Sequence, residues 1–338
     1  MAEADSLSDF HRSLREAAIW PFWEVCDEVM LAEPRAPDSA RIWRWKDLAP
    51  FVERAGREVP MENAERRALM LVNPDFGGRS FTTTNLFAGI QILEPGESAV
   101  SHRHTPSAMR FVIEGGGITS VNGETCPMEP GDLILTPNWA WHEHSNPTDR
   151  RSVWLDALDI PLAQNLGPMF MEHGGSNARE SDLSAIPDRA FAVAGYMPDT
   201  DAPATPYSPM FRYPWSRTLA ALEAAPPAPD GARRVRYTNP VDGGPVIRSM
   251  DCYAWELTRG RETRPVRTTA NAIVAVVEGE GRSTVGEEVV EWAEHDVFTL
   301  PHWNWISHSA ASDVARLFVY TDREVLRLFD FLREEFAD

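Results

Sequence analysis

Four of the nine histidines in this chain of 338 residues fall between Gly96 and Asn146, as two x-H-x-H-x units: His102 with His104, then His142 with His144. Alternate side chains of a β-strand share a face, so an H-x-H pair presents two imidazoles on one side of a sheet. Two imidazoles from one strand and a third from a later strand can converge on one metal ion. The plainer reading, ordinary polar residues on half-buried strands, needs this clustering to arise by chance. The expected ligands are His102, His104 and His142.

The chain carries its own control. Shifted by the 164 positions that separate Gly96 from Gly260, the segment meets a second copy of itself without a gap. Glu114-Gly115 falls on Glu278-Gly279, Asp132 on Asp296, Pro137 on Pro301, Trp139 and Trp141 on Trp303 and Trp305, and His144 on His308. An internal repeat of this length means two copies of one domain fold. The three ligand positions and Arg110 hold Val266, Thr268, Ile306 and Val274 in the second copy. Turn and packing residues persist while the ligands are lost together, so only the first copy is expected to bind metal.

The elements that must position these residues are read as strands. From Arg66 onward, short apolar-alternating runs are punctuated by Pro-Gly-Glu (95–97) and Pro-Gly-Asp (130–132) turns, the pattern of an antiparallel barrel or jelly roll. Residues 1–62 read as an N-terminal helical extension broken at Pro21, with Ile42–Leu48 and a following short helix packing on the first barrel. Residues 63–164 form the catalytic barrel, 165–231 a linker and subunit-contact segment, 232–322 a second, metal-free barrel, and 323–338 a closing amphipathic helix. The expected fold class is all-β.

Composition removes several functions. A formal charge of −19 sets the average field against nucleic acid and anionic membranes. No stretch approaches the roughly 18 apolar residues of a membrane span, three cysteines make no paired framework, and the opening MAEADSLSDF lacks the basic and apolar regions of a secretion signal. A cytoplasmic protein is expected. An anionic small substrate would need local cations, and Arg66, Arg67, Arg103 and Arg110 lie near the histidines in sequence.

Gly96-x5-His102-x-His104 followed by Pro137-x4-His142 resembles the two cupin motifs. HRHTPSAMRFVIEG, TPNWAWHEHSN and WLDALDIPL, with ERRALMLVNP, GIQILEPGE and FRYPWSRTLAAL, resemble the gentisate 1,2-dioxygenase and salicylate 1,2-dioxygenase family. The resemblance implies a bicupin, one Fe(II) per chain in the N-terminal barrel, usually a homotetramer, and O2-dependent cleavage of a 2-hydroxybenzoate between its carboxyl- and hydroxyl-bearing carbons. Ordinary cupins place a Glu ligand four or five residues after the second histidine, where Ala108 and Met109 stand here. A three-histidine facial site leaves adjacent positions open and cancels none of the ion's charge, which suits an anionic bidentate substrate together with O2.

The same resemblance suggests roles for neighbours. Arg110, on the strand face of Ala108, would pair with the substrate carboxylate, a surface ion pair being the plainer alternative. Arg66 resembles another carboxylate-binding residue, with Arg67 leaving the register open by one. Gln91, on the face of Phe87 and Gly89, would overlie the metal-bound ligands. His144 resembles an acid/base or substrate-hydroxyl partner, although His308 at the equivalent position makes a structural hydrogen bond common to both barrels a competing reading. Asp156 would orient His144 or a ligand histidine, and Trp139 and Trp141, being repeated, are expected in core or interface. Pro106 and Ser145 depart from the residues frequent in the family and neighbour the pocket. Gentisate, plain or 5-substituted salicylates and 1-hydroxy-2-naphthoate share the chelating half, so the sequence leaves the choice open. A metal-storage bicupin and a cupin isomerase are the alternatives from other classes.

Overall fold

The computed structural model describes residues 2–64, 66–174 and 205–337, with 191, 193, 196, 198 and 199 between them. The greater part of the expected linker between 175 and 204 lies outside the described residues. The chain divides into Met1–Arg35 and Ala36–Asp338. The first unit holds α1 (Ala2–Glu16) and α2 (Phe22–Val29), with Pro21 at the N-cap of α2 and an ion pair between His11 and Glu24 at 2.8 Å.

The second unit opens with β1 (Ile42–Trp43), α3 (Trp45–Glu58), α4 (Met61–Ala64) and β2 (Ala68–Met70). The strands of the first barrel follow: β3 (Phe87–Leu93), β4 (Ser98–His104), β5 (Ala108–Glu114), β6 (Gly117–Val121), β7 (Glu124–Met128), β8 (Leu133–Thr136), β9 (His142–Ser145) and β10 (Ser152–Leu158). Next come α5 (Ile160–Leu166), β11 (Met171–His173), β12 (Arg212–Tyr213) and α6 (Trp215–Ala224). The second barrel contains β13 (Arg233–Arg236), β14 (Asp251–Thr258), β15 (Val266–Thr268), β16 (Ala272–Glu278), β17 (Gly281–Val285), β18 (Glu288–Trp292), β19 (Val297–Leu300), β20 (Ile306–Ala310) and β21 (Val314–Thr321). The chain closes with α7 (Arg323–Leu328) and β22 (Glu334–Phe336).

Each barrel is two antiparallel sheets. The first pairs a six-stranded sheet, β12-β8-β5-β10-β3-β2, with a five-stranded one, β11-β4-β9-β6-β7. The second repeats this as β1-β19-β16-β21-β14-β13 and β18-β17-β20-β15-β22. The all-β double-barrel architecture expected from the repeat is the one observed. Every residue of β3 and β10 is buried, because the six-stranded sheet is covered on both faces. One face lines its own barrel. The other joins an apolar cluster shared with the second barrel, where Phe111 stacks on Phe318 with centroids 4.4 Å apart.

Two expectations are corrected. Ile42–Trp43 does not belong to the first barrel: β1 pairs with β19 of the second, Ile42 opposite Phe298, while α3 behind it packs on β3 of the first. The exchange is reciprocal, since β12 pairs with β8 of the first barrel and α6 packs against β13 and β14 of the second. The repeated aspartates secure both crossings. Asp296 Oδ1 accepts the Trp45 amide at 2.7 Å and Asp132 Oδ1 accepts that of Trp215 at 2.9 Å, satisfying an orphan donor at each helix start.

The closing helix is also shorter than expected. Helical structure stops at Leu328, Asp330 takes a positive φ of 59°, and Glu334–Phe336 forms a strand opposite Val266–Thr268. The first barrel does the same inside the presumed linker, where Gly167 turns at φ 94° and β11 pairs with β4. The repeat therefore extends through a short helix and a returning strand in both halves.

Glycine is required where the chain turns from β5. Gly115 has φ +73° and a Cβ there would lie 1.8 Å from the Arg151 carbonyl oxygen; Gly279 repeats the situation at φ +83°. Gly115→Ala is expected to cost on the order of 3 kcal/mol or more, from left-handed backbone and overpacking together. Denaturant titration measures this, and a loss below about 1 kcal/mol would show that the turn can relax.

A three-histidine candidate metal centre

The period of β4 places His102 and His104 on its inner face, both buried, with Arg103 between them on the outside. His142 on β9 stands directly opposite His102, and a bulge in β4 between Ala99 and His102 brings His144 opposite Ala99. The three imidazoles converge, with centroids 5.2 Å apart for His102–His104, 4.0 Å for His102–His142 and 4.9 Å for His104–His142. Their candidate ligand nitrogens all lie within 4.8 Å of one another.

The tautomers are set by backbone. Nδ1 of His104 donates to Pro106 O at 2.6 Å and Nδ1 of His142 to Ala140 O at 2.9 Å, which turns the bare Nε2 of each ring inward. Nε2 of His142 is buried and has no hydrogen-bond partner among the described residues. Burial, reinforced by Arg66 and Arg110, holds His102 down at about 2. Burial likewise takes His104 to about 4 and His142 well below its ordinary value. All three are neutral near pH 7, the form a metal ion requires. Three buried neutral imidazoles with no carboxylate among them, that of His142 with an unbonded Nε2, fit a divalent ion that accepts nitrogen ligands.

Arg66 reaches this centre. Its Nη2 donates to Val100 O at 3.0 Å and lies against His102 Nδ1, itself 3.3 Å from Val100 O. A metal on Nε2 of His102 would oblige Nδ1 to carry a proton and donate to Val100 O, so Arg66 has to leave that nitrogen when the centre is filled. Arg67 is committed elsewhere: it bonds both carboxylate oxygens of Glu97 at 2.7 Å and the Val59 carbonyl at 2.7 Å. Of the two candidate arginines, Arg66 is the one at the histidines.

Arg110 projects into the barrel from β5 and is fully buried. It donates to Thr136 Oγ1, and its Nε lies 3.4 Å from Asp156 Oδ1 without a hydrogen bond of its own. Burial draws Arg110 down to about 10, so it stays cationic at neutral pH, and pushes the Asp156 carboxyl up. Asp156 also accepts Trp154 Nε1 at 2.9 Å. It therefore holds Arg110 and Trp154 rather than a histidine, contrary to its expected role, because β10 sets it opposite Arg110 in the sheet.

Gln91 is buried, and its amide Nε2 has no hydrogen-bond partner among the described residues. His144 accepts or donates at Nδ1 with Thr119 Oγ1 at 2.9 Å and leaves Nε2 buried and unbonded. His308 bonds Ser283 Oγ at 2.7 Å in the same way, so the Nδ1 bond belongs to the fold, and the unbonded Nε2 beside His142 is what is available for chemistry. Trp139 and Trp141 are part-exposed and flank Arg103, at 4.4 and 4.7 Å, instead of entering the core. A cation between two aromatic rings at alternate positions was the signal that sequence reasoning passed over.

Comparison with known proteins agrees with this site. Residues 89–158, which hold all three histidines, match the cupin domain family. The chain is 36% identical over 331 residues to gentisate 1,2 dioxygenase 1 of Aquipseudomonas alcaligenes, covering 96% of this chain and 95% of that one. It is 35% identical to a 5-aminosalicylate 1,2-dioxygenase of Comamonas sp, covering 97% and 90%. The chain belongs to the gentisate and salicylate 1,2-dioxygenase family. The crystal structure of the family's salicylate 1,2-dioxygenase from Pseudoaminobacter salicylatoxidans, in adducts with gentisate, superposes with a TM-score of 0.91 at 32% identity, covering 98% of this chain and 94% of that one. As a member of this family the protein is a ring-cleaving oxidoreductase with a three-histidine metal-binding site.

In the second barrel Val266, Thr268 and Ile306 occupy the ligand positions. Trp255, at the repeat position of Gln91, packs edge-on against His308 with centroids 5.3 Å apart. None of these four homologous positions, then, offers an imidazole or the Gln91 amide.

Proposed function

We propose that the protein opens the ring of a 2-hydroxybenzoate, gentisate or a 5-substituted salicylate, between its carboxyl- and hydroxyl-bearing carbons, with O2 as co-substrate. The observation that carries this reading is a triad of neutral imidazoles without a carboxylate, set beside the buried cation of Arg110. Fe(II) held by His102, His104 and His142 would supply the redox chemistry that lets O2 react with an electron-rich ring. Arg110, fixed by Thr136 and Asp156, is placed to bind the substrate carboxylate and set the ring's angle. Arg66, once it leaves His102, is a second cation for the same anion. Gln91 Nε2 supplies an unused donor. His144, with its proton position at Nε2 open, can take or return the proton of the substrate hydroxyl.

Oxygen uptake by Fe(II)-loaded protein with a panel of ring-substituted 2-hydroxybenzoates and 1-hydroxy-2-naphthoate tests the reading. Turnover should appear with Fe(II) and vanish with Zn(II), which has no redox chemistry. Equal activity with zinc would overturn it. One metal per chain is expected, because the second barrel offers no imidazole at the three homologous positions. Elemental analysis giving two would contradict that assignment.

The homotetramer implied by the family is supported by apolar side chains exposed on the N-terminal unit, Trp20, Phe22, Trp23 and Leu31 among them; a single-chain mass in solution would count against it. A cytoplasmic location is in keeping with a chain of three cysteines, which make no paired framework. No helix among the described residues is long and apolar enough to cross a membrane.

A further inference from the structure

Arg103 stands between the two ligands of β4 on the outer face of the strand. Its Nε and Nη2 both donate to Glu172 Oε2, at 2.9 and 2.7 Å, while its guanidinium is held between the rings of Trp139 and Trp141. These partners come from separate segments. Glu172 belongs to β11, which sets Met171 opposite His104 and His173 opposite His102. Trp139 donates its amide to the His104 carbonyl at 3.0 Å, and Trp141 immediately precedes His142. One side chain thus ties together the three stretches that carry or flank all three ligands.

The second barrel contains the same tie. Arg267 lies 4.5 and 5.1 Å from Trp303 and Trp305, and its Nε donates to Glu335 Oε2 at 2.7 Å. There the flanking residues are Val266 and Thr268, which offer no imidazole.

We propose that the Arg103 tie is a positioning device for the metal centre. By fixing β4 against β11 on one side and against the turn into β9 on the other, it sets the separation of the three imidazoles. A part-exposed ion pair contributes little to global stability, whereas convergence of metal ligands suffers from shifts of a fraction of an ångström. The two copies should therefore be alike in stability and unlike in metal binding. The inference rests on the triad being a metal site.

The test compares Glu172→Gln with Glu335→Gln, loaded with Co(II) so that ligand geometry can be read from the visible spectrum. Both variants should show a similarly small drop in melting temperature. Glu172→Gln should release Co(II) to a chelator at least about threefold faster than wild type and shift its absorption bands, since loss of supporting bonds weakens metal retention. Glu335→Gln should match wild type in both, and Glu172→Asp should restore part of the loss. Equal release rates in the two Gln variants would overturn the positioning role while leaving the metal site standing. Failure of the wild-type protein to take up Co(II) at all would remove the metal reading and this inference with it.

Discussion

His142→Ala is expected to lose bound metal and turnover together. The residue is buried, its Nδ1 is fixed to the Ala140 carbonyl, and its inward Nε2 has no partner among the described residues. Removing it leaves two imidazoles on one strand and an open side where β9 closed the site. Loss of a supporting residue around a metal typically costs about 10–100-fold in affinity; loss of a ligand should exceed that, leaving a gel-filtered sample with little metal. The fold should survive, because the deleted ring is a desolvated polar group whose only protein bond is local. Metal content and oxygen uptake measured on the same sample check this, and near-normal metal content would strike His142 from the ligand set.

The second expectation concerns what Arg110 recognises. In a chain of net charge −19, an aromatic carboxylate needs a fixed local cation, and Arg110 is one that burial has not discharged. Arg110→Lys keeps the charge but loses the planar fork. It should retain metal yet fall on the order of tenfold or more in kcat/KM, about 1.4 kcal/mol of transition-state stabilisation. Arg110→Ala should lose considerably more, and part of that loss would come from leaving Asp156 buried without its cation. The double variant Arg110→Ala/Asp156→Asn separates the two, since it removes the stranded carboxyl and leaves only the missing clamp. Wild-type kcat and KM in Arg110→Ala would end the carboxylate role and move the test to Arg66.

The metal centre was legible because a strand's period of two converts H-x-H directly into geometry, and because the repeat showed what the fold keeps without ligands. Arg66 and Arg67 could not be told apart, since which of two adjacent residues faces inward depends on the register of a three-residue strand. The partner of Asp156 is not legible for a related reason: its neighbour, Arg110, is decided by strand pairing across the sheet, not by proximity in sequence. The stretch Val325–Phe336 has helical apolar spacing, and only the turn at Asp330 and the waiting edge of β15 make its end a strand. Pairing of Ile42–Trp43 with β19 left no trace in composition, because the contact spans more than 250 residues of chain.

That exchange of leading strands makes each half depend on the other. Each half of the molecule, taken with its own arm and helix, completes the sheet of the other and leaves its own edge to be completed in return. Two separate one-barrel chains could reach the same state only as a dimer with crossed arms, a mutual embrace that this chain makes within itself. Each half must therefore keep the shape that the other requires, whatever its own chemistry. The second barrel accordingly retains Gly279, Asp296 and the Arg267 tie, yet has Val266, Thr268 and Ile306 where the histidines stood.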